Sequence, residues 1–95
     1  MKPLTVIATL KAKKGSEEAL HRALQDLVAP TRAEKGCVTY DLHRSHDDPA
    51  VFIFYETWES RPLWDDHMKT RHLAAFGEKQ GELAEHWELF TGEKV

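Results

Sequence analysis

The eight residues Val51-Phe52-Ile53-Phe54-Tyr55-Glu56-Thr57-Trp58 constrain this chain more than any other stretch. Aromatic and β-branched side chains dominate them, the composition of a strand. Side chains alternate across a strand, so Phe52, Phe54 and Trp58 share one face and Val51, Ile53 and Tyr55 the other. Both faces are largely apolar, so both must be covered. Just upstream, residues 37–44 alternate too, with Val38, Tyr40 and Leu42 against Cys37, Thr39, Asp41 and His43. The turn-rich Ser45-His46-Asp47-Asp48-Pro49 separates the two runs, which predicts an antiparallel hairpin.

The rest of the chain supplies the cover. Residues 3–13 alternate as a strand whose apolar face carries Leu4, Val6, Ala8, Leu10 and Ala12. Gly15 breaks it, and Ser16 is placed to cap a helix whose stripe is Leu20, Leu24, Leu27, Val28 and Thr31. Pro30 is expected to kink or end that helix near Ala29, and Gly36 to stop it. Ser60 and Pro62 open a short helix with Leu63, Trp64, His67 and Met68; Thr70 opens a second with Leu73, Phe76 and Leu83. Residues 86–91 close as a last strand. The order βαββααβ predicts an α+β fold, a ferredoxin-like antiparallel sheet with helices on one face. The second apolar face, with Ile7 and some of Trp87, Leu89 and Phe90, is then left for a copy of itself, which predicts a homodimer through sheet faces.

Length and charge narrow the function. Ninety-five residues suit one domain spanning 1–95. A net charge of -3 leaves no basic excess for phosphates, so nucleic acid is not an expected partner. The lone Cys37 rules out an intrachain disulfide framework. No apolar run approaches the ~20 residues needed to span a bilayer, and no signal-peptide core follows Met1, so no membrane partner and a cytoplasmic location are expected.

The residues suited to chemistry cluster between Tyr55 and His72. With 51–58 as a strand and 61–69 as a helix folding over it, Trp58 and His67 are placed to line one largely apolar cavity, the profile of a small-molecule site. His67 shares the covered helix face of Leu63; an imidazole there serves as a general base or an oxyanion donor, or only as a hydrogen-bonded core residue. Trp58, Trp64, Tyr40, Tyr55 and His72 read first as packing residues, and only second as ligand contacts. Metal binding is not expected, because His67 and His72 stand five apart rather than four and no cysteine pair supports them. No glycine-rich phosphate loop or dinucleotide fingerprint is present.

Together, Glu34-Lys35-Gly36-Cys37 with Tyr40 and Leu42, then Glu56-Thr57-Trp58-Glu59-Ser60, then Leu63, His67, Thr70, His72 and Phe76 resemble the antibiotic biosynthesis monooxygenase (ABM) family, most nearly its small quinol monooxygenase-like bacterial members. The resemblance covers nearly the whole chain. It implies a dimeric α+β barrel and oxygenation of a small quinol or polycyclic aromatic by O2 with no cofactor. It carries His67 over as candidate base and Trp58 as pocket wall, the two catalytic candidates. Phe54, Tyr40, Tyr55, Trp64, His72 and Phe76 are the expected pocket. Phe54 stands where some monooxygenase members have a polar residue. Haem-degrading relatives use asparagine, tryptophan and histidine at the places of Ala8, His67 and Gly77, none of which is retained. Two other readings stand beside the monooxygenase: an isomerase of the autoinducer-processing type, with Arg32, Arg44 and Arg71 as phosphate candidates, and a non-enzymatic dimeric ligand-binding module.

Overall fold

A computed structural model describes residues 2–95. The elements are β1 (Leu4–Ala12), α1 (Glu17–Gln25), α2 (Val28–Arg32), β2 (Cys37–Arg44), β3 (Val51–Trp58), α3 (Arg61–His67), α4 (Arg71–Leu83) and β4 (Ala84–Gly92). The strands form one antiparallel sheet in the order β2-β3-β1-β4, the ferredoxin-like arrangement expected. In register, Val6 lies between Glu56 and Thr91, and Leu10 between Phe52 and Trp87. The core lies on that face: Val6, Leu10, Phe52, Phe54 and Trp58 pack with Leu20, Leu24, Leu27, Val28, Trp64 and Phe76 from the helices.

Three local details differ from expectation, each for a physical reason. The first concerns Pro30. The α1 helix ends at Gln25, before Pro30, and Pro30 sits in the first turn of α2. A proline ring excludes the carbonyl four residues back, here that of Asp26, so the break falls at Asp26 and not near Ala29. The second is Ser16, which makes no side-chain cap; Glu17 Oε1 instead accepts from the Gly15 N–H at 3.0 Å. Third, the β2–β3 register slips between Cys37 and Thr39. Val38 is bulged out and 59% exposed, while Cys37 joins Tyr40 on the core side, opposite Trp58. Of the β4 residues Trp87, Leu89 and Phe90, Phe90 alone lies on the open face beside Ile7, within the expectation that some of them would. Trp87 and Leu89, paired with Leu10 and Ala8, turn to the helix side.

The two helices after β3 are capped as expected: Ser60 Oγ accepts from the Leu63 N–H and Thr70 Oγ1 from the Leu73 N–H, each at 3.4 Å. Among the described residues, no helix is long and apolar enough to cross a membrane.

Candidate active site

A cavity of about 140 Å³ lies between sheet and helices. Its floor includes Ala8, Tyr40, Phe54 and Glu56; Trp64, His67, Leu73 and Phe76 roof it; Trp87 and Leu89 lie on the β4 side. Trp87 and Leu89 are half exposed because β4 is an edge strand, so this side forms the mouth. Tyr40 and Phe54 stack with ring centroids 4.3 Å apart and make a flat aromatic wall.

His67 is the last residue of α3 and is 2% exposed. Its Nδ1 lies 2.8 Å from Glu34 Oε2. The carboxylate accepts, so Nδ1 carries the proton and Nε2 is left with its lone pair. Nε2 has no hydrogen-bond partner among the described residues. Burial lowers the His67 pKa, opposed by the Glu34 hydrogen bond and charge. The same Glu34 oxygen accepts from His72 Nε2 at 2.7 Å, and Thr70 Oγ1 lies 3.3 Å from that nitrogen. Thr70 also donates to the His67 carbonyl at 2.8 Å. The five-residue separation of the histidines is bridged by the turn from α3 into α4, so the structure brings together two imidazoles that helical spacing alone would hold apart. Glu34, His67 and His72 put their ligating atoms within 4.8 Å of one another, a possible metal donor set. The 2.7 and 2.8 Å contacts satisfy the carboxylate as a hydrogen-bonded acceptor of both rings.

The Trp58 ring packs 4.8 Å from the His67 ring and is fully buried. Its Nε1–H donates to Glu56 Oε1 at 2.9 Å. Glu56 is 3% exposed on the core face of β3. Burial pushes its pKa up to about 7; the Trp58 hydrogen bond opposes this and the Glu34 charge adds to it. Burial, then the Glu56 charge, raises the Tyr40 hydroxyl far above its ordinary value, so it stays a neutral donor. Burial likewise raises the Cys37 thiol, to about 11, which leaves it a poor nucleophile.

The family model described as antibiotic biosynthesis monooxygenase matches residues 3–79. This chain belongs to the antibiotic biosynthesis monooxygenase family. Its fold superposes on the crystal structure of PA3566 from Pseudomonas aeruginosa with a TM-score of 0.97 and 37% identity, covering 100% of this chain and 96% of that one. It is 36% identical over 81 residues to the Mycobacterium tuberculosis protein named "Putative monooxygenase Rv0793", covering 85% of this chain and 79% of that protein. An uncharacterized Synechocystis protein, sll1783, is 30% identical over 85% of this chain, but the match spans only 55% of that relative.

In this ABM chain the expected pocket residues divide. Tyr40, Phe54, Trp64, His67 and Phe76 line the cavity. Tyr55 does not: it pairs with Ile7 on the open face and is 42% exposed, because its odd position on β3 turns it away. His72 is not a wall either; it lies behind His67 and holds Glu34. Trp58 is not on the cavity surface but beneath it, touching both His67 and Glu56, so it acts on the site through them. Glu34 and Glu56 were the missed residues. Glu56 was visible in period two, sharing the inward face of Phe54 and Trp58. Glu34 stands in the Glu34-Lys35-Gly36-Cys37 stretch that carries the resemblance, but nothing local in the sequence points it at His67 and His72. Of the arginine candidates for a phosphate contact, Arg32 pairs with Asp41 at 3.0 Å and Arg44 with Glu18 at 2.7 Å, and among the described residues neither these, Arg71 nor any lysine lines the cavity.

Proposed function

We propose that this protein is a monooxygenase that adds oxygen from O2 to a small, electron-rich aromatic of the quinol or phenol class. The observation carrying the proposal is His67, its Nδ1 engaged by Glu34 and its ring on the wall of an aromatic cavity. Nε2 takes the phenolic proton. The resulting phenolate is electron-rich enough to reduce O2 directly: the ring carbon beside the phenolate forms a bond to one oxygen, and the terminal peroxide oxygen takes the proton back from His67. The product is a ring hydroperoxide. Tyr40 and Phe54 orient the ring, and the apolar lining excludes water.

The cavity volume bears on size. An apolar space near ~150 Å³ takes a benzene-sized guest. One aromatic ring therefore fits inside, and any further ring lies along Trp87 and Leu89 at the mouth. The test is oxygen uptake with single-ring and fused-ring quinols, wild type against His67→Ala. Uptake by the wild type, lowered about 100-fold or more in the variant, is the expected result. Equal rates, or no uptake with any quinol, would sink the proposal.

We infer that the protein works as a homodimer through the open sheet face. Tyr55, Ile7 and Phe90 form one cross-strand row there, with Tyr55 and Phe90 about half exposed. A second copy of the same row is the self-complementary cover for it.

A further inference from the structure

Building on the monooxygenase reading, we propose that Glu56 is a second catalytic residue of the cavity, the acid that protonates the departing oxygen when the O–O bond breaks. His67 Nε2 takes the hydrogen of the peroxide-bearing ring carbon as a proton. The C–H electron pair becomes the second bond of a new carbonyl. The O–O bond breaks, and the leaving hydroxide takes the Glu56 proton to become water. One atom of O2 ends in the quinone product and one in water; the ring is oxidised by the electrons that reduce them. Glu56 regains its proton from His67 or from solvent before the next turnover.

Placement carries the proposal. Glu56 sits in mid-sheet, paired with Val6 on one side and Tyr40 on the other, and lines the cavity floor. A carboxyl buried there has no cation to balance it: no lysine or arginine lines the cavity, and its hydrogen-bond partner among the described residues is the Trp58 N–H. A glutamine would accept that hydrogen bond equally well and avoid the cost of a buried ionisable group. What a carboxyl adds is a transferable proton. Trp58 touches both proton-active groups, with its ring on His67 and its N–H on Glu56, so one rigid side chain sets them both.

The surroundings keep that proton available at neutral pH. The neighbours are Tyr40 and Cys37 on β2, Glu34 before β2, His67 on α3 and the uncharged Gln80 on α4. Glu88 belongs to the rim, but its register with Thr9 turns its side chain to the open face. Tyr40 and Cys37 stay neutral, and the Glu34 charge disfavours ionisation of Glu56. With burial, this holds the carboxyl at about 7.

The experiment compares wild type, Glu56→Gln and Glu56→Asp with a quinol that the wild type oxygenates. In Glu56→Gln, oxygen is still consumed, but oxygenated quinone per O2 falls about tenfold or more, the quinol going instead to the unoxygenated quinone as O2 is reduced to hydrogen peroxide; Glu56→Asp restores part of the yield. The fall in wild-type quinone formation above pH 7 is absent from Glu56→Gln. Carboxyl carbon NMR of glutamate-labelled protein, which needs no substrate, shows one group titrating near neutrality that Glu56→Gln removes. Unchanged oxygenated quinone per O2 with an unchanged pH profile in Glu56→Gln overturns the acid role while leaving the monooxygenase reading intact. Absence of uptake by the wild type overturns the monooxygenase reading, and the acid role with it. Absence of the neutral-range NMR titration overturns the acid role alone.

Discussion

At the scale of single residues, the site is built from two buried ionisable groups whose environments push them in opposite directions. Glu56 is raised from 4.5 to about 7, chiefly by burial, and His67 is lowered from 6.5 by the same cause. Between pH 4.5 and 7 the folded protein holds a proton on Glu56 that the unfolded chain releases, so Glu56 makes folding less favourable as pH rises through that window. The full cost above pH 7 is on the order of 3 kcal/mol. His67 has the opposite sign: below 6.5 the unfolded chain binds its proton first, so its contribution to stability drops as pH drops. Glu56→Gln is therefore predicted to gain stability relative to wild type as pH goes from 5 to 8, read by urea denaturation across that range. Parallel stability curves for the two proteins would refute this. Trp58→Phe removes the N–H that holds Glu56 down, so the carboxyl should titrate above 7, by carboxyl NMR, with about 1–3 kcal/mol of stability lost. A Glu56 titration unchanged in Trp58→Phe would contradict the hydrogen bond's role.

At the scale of elements, most of what places the site was legible. The period-two and helical stripes give the strands and helices their types and most of their inward faces, and the caps Ser60 and Thr70 are where the side chains suggest. The departures come from reach. Pro30 acts four residues back at Asp26, and the bulge at Val38 turns Cys37 inward, which strict alternation does not reveal. Gly36 has both reach and conformation: its φ is +90°, and a Cβ there would lie 2.5 Å from Leu63 Cδ1. Its carbonyl also accepts from the Glu59 N–H at 2.9 Å, tying the start of β2 to the end of β3. Gly36→Ala is predicted to cost about 2 kcal/mol or more and to displace α3, with His67 moving off Glu34. Thermal denaturation measures the first effect and the His67 Nδ1–H proton resonance the second; wild-type values for both would count against this packing.

At the scale of the whole molecule, the unfinished surface is the open sheet face. The proposed homodimer predicts that Tyr55→Glu or Phe90→Glu, which place a charge in the cross-strand row, give single chains at micromolar concentration while the wild type sediments as a dimer. A wild type that sediments as a monomer would remove the pairing. Neither substitution touches the cavity on the other side of the sheet, so folding by circular dichroism should be retained.

The amino-acid sequence by itself determined the element order, the inward faces and the aromatic character of the site, because these follow from neighbours two to four residues apart. Only the tertiary structure decided the proton machinery. Glu34 meets His67 across 33 residues and His72 across 38, and those contacts exist only once α3 and α4 are seated on the sheet. The same docking turned Glu56 from a residue of ordinary acidity into one near neutrality, since burial, its largest cause, belongs to the packed molecule and to no local stretch of chain.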